Sequence, residues 1–156
     1  MRQQSVIHNT FAIERRYPAK PESVFAAFAD PAKKRRWFAE GDHHQVEDYE
    51  MNFREGGKEC ARLRLKNAPV EGILCTNDVT YYDIVPGHRI VFASAMTLGE
   101  RRISVSLGTF EFLPSENGTD LIFTHQGAFF EGADGPEMRE EGWRKLFDNL
   151  ADEFPL

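Results

Sequence analysis

At 156 residues, 41% hydrophobic and 28% charged, the chain has the size and composition of one ordinary globular domain. Its net charge of −6 excludes the broad basic face that a nucleic-acid binder needs, and no apolar run approaches the length of a membrane span. Thirteen phenylalanines promise large, rigid side chains that fill or line the interior. One domain is expected over residues 1–156, with 1–9 a flexible or loosely attached N-terminal segment. Met1–Thr10 carries no signal-peptide pattern, so a cytoplasmic location is expected. Cys60 and Cys75 form no CxxC pair there and are expected to be reduced and half-buried.

Phe11–Tyr17 alternates apolar residues (Phe11, Ile13) and predicts a first strand. Pro18 and Pro21 end it and open a helix whose apolar stripe is Val24, Phe25 and Phe28. Asp30-Pro31 caps a second short helix that ends near Trp37-Phe38, and the run Lys33–Arg36 reads as its solvated face. From about His44 the period changes to two. Tyr49, Met51 and Phe53 alternate with charged or polar residues, Gly56-Gly57 supplies a turn, and Ala61, Leu63 and Leu65 alternate with Arg62, Arg64 and Lys66. A looser stretch around Asn67–Gly72 precedes strands through Val79–Tyr82, Arg89–Met96, Ile103–Leu113 and Leu121–Gln126. Turn signals at Pro86-Gly87, Gly99-Glu100 and Glu116–Gly118 separate them.

Gly135-Pro136 starts a helix of a different kind. Trp143, Leu146, Phe147, Leu150 and Phe154 recur at three- and four-residue steps, with Arg139, Glu140, Arg144, Lys145, Asp148 and Asp152 on other faces. From Pro136 to Phe154 it would run about 28 Å, enough to cross a sheet of several strands. The pattern predicts an α+β fold of about six or seven antiparallel strands covered by helices.

Two features suggest incomplete closure between sheet and helix. Gly142 stands inside the helix, where glycine costs about 1 kcal/mol relative to alanine. One phase of the Ile103–Phe112 strand reads Ser104, Ser106, Gly108, Phe110, Phe112, and three small residues in succession would leave a gap beside the aromatics. The other phase, with Val105 and Leu107 inward, is left open by the sequence, as is a core filled by aromatics from elsewhere.

Several segments together resemble the START/Bet v 1-like (SRPBCC) superfamily, in the branch related to the activator of the heat-shock chaperone ATPase. These are Phe11–Tyr17 with Ala19–Phe28, Asp30-Pro31 through Trp37-Phe38, Asn52–Gly57, Tyr82–Phe92, Thr124–Gly127, and Glu141–Trp143 with Leu146 and Leu150. An acidic residue is commoner in that branch at the Asn52 position. The resemblance covers nearly the whole chain. It implies a helix-grip fold, a curved sheet wrapped around a long C-terminal helix with a deep cavity between them. It transfers no single activity, because the superfamily spans lipid carriers, hormone receptors, cyclases, ring-hydroxylase subunits and co-chaperone domains.

The expected cavity wall comprises Trp37, Tyr49, Met51, Tyr81, Phe92, Met96, Phe110, Phe123, His125, Gly142, Trp143 and Phe147. His125 shares a strand phase with Leu121 and Phe123; inward, it would bind a ligand's polar end, act in acid–base chemistry, or rest on a backbone carbonyl. His43-His44 has metal-ligand residue types, but adjacent strand positions face opposite ways, so no metal site or cofactor is expected. No Gly-rich phosphate loop, HExxH or GxSxG is present, the neighbouring Glu140-Glu141 read as surface residues rather than a catalytic carboxylate pair, and no catalytic residue is assigned. The leading expectation is binding of a small hydrophobic or aromatic molecule without catalysis. Behind it stand a protein-interaction module with a chaperone partner, and a cyclase- or dehydratase-like enzyme using His125. An edge strand could also pair two chains into a homodimer.

Overall fold

A computed structural model describes residues 5–66 and 72–155. The loop expected around Asn67–Gly72 falls largely outside the described residues, at 67–71. The strands are β1 (Ile7–Tyr17), β2 (His44–Met51), β3 (Lys58–Leu65), β4 (Leu74–Val85), β5 (Arg89–Leu98), β6 (Arg101–Ser115) and β7 (Gly118–Phe129). They form one antiparallel sheet in the order β1-β7-β6-β5-β4-β3-β2. Consecutive strands are hairpin neighbours from β2 to β7, as the turn signals require; β1 closes the far edge by pairing with β7. Its pairing starts at Ile7↔Phe129, so residues 7–9, expected to hang loosely, belong to the sheet. Register shifts at Val46/Asp48, Tyr81/Asp83 and Met96/Thr97 are bulges, which bend strands and increase their twist. The α+β helix-grip expectation holds, with seven strands in a curved sheet.

The helices α1 (Pro21–Ala29) and α2 (Pro31–Lys34) follow β1. Pro21 opens α1, and Asp30 caps α2 by accepting from the Ala32 backbone N–H at 2.9 Å. A wide turn over Arg35–Ala39 then carries a bond from Glu40 N–H to the Arg35 carbonyl, one residue longer than an α-helical bond. That extra residue lets three neighbours, Trp37, Phe38 and Ala39, all point inward. The long helix α3 (Pro136–Ala151) ends three residues before the predicted Phe154, which packs from the following turn onto Tyr17 at 5.6 Å between ring centroids. Its buried stripe is Arg139, Trp143, Phe147 and Leu150. Arg139 was expected on a polar face. It is buried because its guanidinium is held twice by Asp134 (2.8 and 2.9 Å) and once by Ser104 Oγ (2.9 Å), over the Phe129 ring.

The phase of β6 is settled. Ser104, Ser106, Gly108, Phe110 and Phe112 face the helices, while Val105 and Leu107 are 42% and 40% exposed on the outer face. The small residues do not leave the expected gap. A Cβ at Gly108 would overlap the Phe92 ring, which lies over that bare backbone. Phe92, Phe110 and Phe123 stack in turn, at 5.4 and 4.8 Å between centroids, and Trp143 meets Phe123 at 4.4 Å. The missing side chains accommodate aromatic rings. The core is packed where a cavity was expected.

Candidate functional site

The aromatic core gives way to polar side chains at the α2 end. Lys34, the last residue of α2, was expected in solvent but is only 5% exposed, and Glu59 on β3 is 2% exposed. The Lys34 ammonium lies 3.0 and 3.1 Å from the two carboxylate oxygens of Glu59. Tyr49 on β2 donates to Glu59 Oε2 and Tyr81 on β4 donates to Oε1, each at 2.5 Å. Lys34 Nζ also stands 4.5 Å from the centre of the Phe38 ring. Each carboxylate oxygen thus accepts twice, which uses its full capacity. Burial first, and then the negative charge of Glu59, push both tyrosine hydroxyls well above their usual range, so both remain donors. The wide turn at Arg35–Ala39 is what brings this lysine in, because it seats Phe38 beneath the ammonium.

Between this tetrad and the ring wall is an unfilled space, a void of ≈ 10 Å³, room for about one water. Its polar end is Lys34, Glu59, Asn77 and Tyr81; its apolar walls include Phe28, Phe38, Phe92, Phe110 and Trp143. Asn77 Oδ1 is buried there without a hydrogen-bond partner. Drug-sized ligands occupy pockets of roughly 300–1,000 Å³. The expectation of a deep preformed cavity therefore fails in this structure, for the reason given by Phe92 over Gly108: rings occupy the space.

The predicted wall divides accordingly. Tyr81, Phe92, Phe110 and Trp143 line the void. Tyr49 reaches its polar end only through Glu59, and Met51 sits beside Tyr49, with its sulfur 3.5 Å from the hydroxyl. Phe123 and Phe147 are fully buried core, and Met96 is half-buried away from the void. Trp37 is also core, its indole N–H donating to the Ala27 carbonyl at 2.8 Å. Gly142 is misplaced by the sequence reading: it is exposed, a Cβ there would meet nothing within 4 Å, and it lines an outer groove with Arg36, Lys145 and Asp152. His44 borders the same groove, with His43 exposed next to it. Among the described residues, no group of His, Cys, Asp and Glu is placed to hold a metal ion. Both thiols are raised to about 11, chiefly by burial, and are therefore unreactive at neutral pH.

His125 does point inward and is 2% exposed. It stacks on Phe11 at 4.6 Å, against Phe123 and Phe129, and its Nδ1 has no partner. Desolvation, with a further push from Arg139, lowers its pKa to about 4, so the ring is neutral. Sequence reasoning missed Lys34, Glu59 and Asn77.

A family model described as activator of Hsp90 ATPase homolog 1-like protein matches residues 18–154. The chain belongs to this family. Among solved structures, the Mll3558 protein from Rhizobium loti is 46% identical, with 97% of this chain and 100% of that one aligned at a TM-score of 0.85. An uncharacterized protein from Rhizobium leguminosarum is 39% identical over 96% of this chain and 95% of its own, at a TM-score of 0.88. An AHSA1-like protein from Aeromonas hydrophila shares the fold at 19% identity, with a TM-score of 0.68 over 93% of this chain and 91% of its own. No curated protein matches the chain. Family membership with this fold supports a ligand-binding or interaction module. No described helix is long and apolar enough to cross a membrane.

Two measurements test the energetics of the site. Lys34→Met or Glu59→Gln alone leaves a buried partner uncompensated and is expected to cost about 3–5 kcal/mol in urea unfolding. The Lys34→Met/Glu59→Gln double variant, which removes both charges and leaves the tyrosines an acceptor, should recover much of that loss; simple additivity would refute the coupling. The His125 pKa lies below its unfolded value of about 6.5, so the unfolded chain binds the extra proton. This contribution to stability is complete above pH 6.5 and declines as pH falls toward 4, by up to about 3 kcal/mol. His125→Phe should flatten the dependence of the urea midpoint between pH 7 and 4.5 relative to wild type, and unchanged steepness would refute the assignment.

Proposed function

We propose that the domain binds a small, largely apolar molecule between the sheet and α3, with the Lys34–Glu59–Tyr49–Tyr81 cluster fixing the polar end. The observation that carries this reading is the coincidence of three things at one spot: an unfilled void, a buried charged cluster, and the unpartnered Asn77 carbonyl. Buried polar clusters are costly compared with apolar packing, and convergent polar groups at an aromatic pocket mark binding sites. The core as it stands is the closed form. A ligand larger than one water enters by turning aside rings such as Phe92 and Trp143. Family membership adds support at the level of a binding or interaction module. Native mass spectrometry and thermal shifts against an aromatic and lipid library should give at least one stoichiometric binder. Its saturation should raise the melting temperature and shift the amides of residues around Phe92 and Trp143. A library with no binder would remove the reading.

The filled interior favours a second reading, in which the outer surface does the work as a docking module for a chaperone partner. Its support is the family description together with the exposed Val105 and Leu107 on the outer face of β6. A purified Hsp90-class chaperone should then change its ATP turnover when the protein is added, and Val105→Glu/Leu107→Glu should abolish the effect. No change with wild type would dispose of it.

A further inference from the structure

Three buried side-chain atoms without a hydrogen-bond partner lie on the inner face of the sheet: Asn77 Oδ1 on β4, Ser106 Oγ on β6 and His125 Nδ1 on β7. The register makes them one feature. Ser106 pairs with Ser94 on β5 and with Gly127 on β7; Ser94 pairs with Val79, two residues from Asn77, and Gly127 is two residues from His125. They form a polar band running diagonally across four neighbouring strands, roughly 20 Å long from the usual strand spacing and rise per residue. Its Asn77 end opens on the void. Buried polar atoms are nearly always satisfied, so each of these atoms calls for a partner from outside the protein, a water or a polar group of a ligand that displaces it.

The charges around the band identify the partner further. Every ionised group at the site is already neutralised: Glu59 by Lys34, and Arg139 by Asp134. His125 is uncharged as well. A carboxylate or ammonium brought here would lose its water and find no free counter-charge. Asn77 Oδ1 can only accept, so it calls for an O–H or N–H from the ligand, while the serine hydroxyl and the imidazole can serve either role. A pure hydrocarbon would leave all three unsatisfied.

We propose that the occupant of this site is an uncharged, apolar molecule bearing hydroxyl or N–H groups along one edge, a phenol or an alcohol rather than a carboxylic acid or a bare hydrocarbon. This deepens the binding reading above and rests on it. Asn77 reads a donor at the void, and Ser106 and His125 read further groups on a longer ligand while Phe92 and Trp143 cover its apolar face.

The test uses three small probes on the full chain, followed by amide chemical-shift titration at pH 7.5: phenol, its near-isostere toluene, and benzoate. Phenol is expected to bind about tenfold or more tightly than either of the others, the effect of one hydrogen bond to an otherwise orphaned buried acceptor. Asn77→Leu should reduce that advantage to about twofold or less; it removes an unsatisfied group, so folding should be retained, which the melting temperature checks. Should that variant not fold, Asn77→Val supplies the same test, because it too removes the acceptor and should reduce the advantage of phenol over toluene to about twofold or less. Toluene binding as tightly as phenol, or benzoate binding tightest, would overturn this inference and leave the binding reading standing. If none of the three binds, this inference falls, and only an empty wider library carries the binding reading down with it.

Discussion

The structure depends on one buried ion pair. Lys34 and Glu59 lie 25 positions apart and join the helical corner after β1 to β3, the strand next to the β2 edge of the sheet. An isolated charge at either position would be prohibitively costly in so dry a place, so neither residue is tolerable without the other. Two tyrosines from β2 and β4 fill the remaining acceptor sites, and the cluster thereby fixes four elements in relation to one another. Its net stabilisation compared with an apolar core is small. What it supplies is position: the ammonium can settle over Phe38 only if the wide turn at Arg35–Ala39 forms, and that turn also sends Trp37 into the core.

Much of the architecture was legible because it rests on short-range rules. Alternation in Ala61–Leu65 and Phe110–Phe112, glycines at turns, and prolines at helix starts are each decided within a few residues, and they led to the correct sheet and helices. The long β1–β7 pairing extended further than alternation suggested, since Ile7 is exposed and His8 and Asn9 are polar; the edge is held by backbone bonds, which leave no apolar trace.

The site was legible only in part, and the missed signals were present. Glu59 has the same phase as Ala61 and Leu63, so period two already placed a carboxylate on the buried face. Lys34 precedes Trp37 and Phe38 by three and four positions, the spacing of one helical face. Both were read by residue type, as solvent-seeking charges, although each was the other's counter-charge across 25 residues. Gly142 failed for a different reason. A glycine inside a helix reports a missing side chain but not the direction it would have taken, and here that direction is outward. The gap inferred at Ser104–Gly108 was real as missing volume, yet its occupant, Phe92, comes from the neighbouring strand, and strand register is invisible to local pattern.

These contacts also determine how the interior can open. The helix α3 is held at its start by buried Arg139 on Asp134 and Ser104, in its middle by the Tyr17 hydroxyl on the Phe147 carbonyl, and at its end by Arg36 on the nearly buried Glu153. Lifting the helix would break at least one charge-assisted buried contact in addition to exposing Trp143, Phe147 and Leu150 to water. Rotating a ring costs less. The ring faces at the void edge make dispersion contacts that re-form against a ligand, and no hydrogen bond is lost. Motion confined to side chains such as Phe92 leaves the Lys34–Glu59 pair untouched, which is the condition for the polar end to keep its geometry while the apolar end adapts. The fold thus separates a rigid end that reads hydrogen bonds from a deformable end that takes up shape, and the boundary between them is the void beside Asn77.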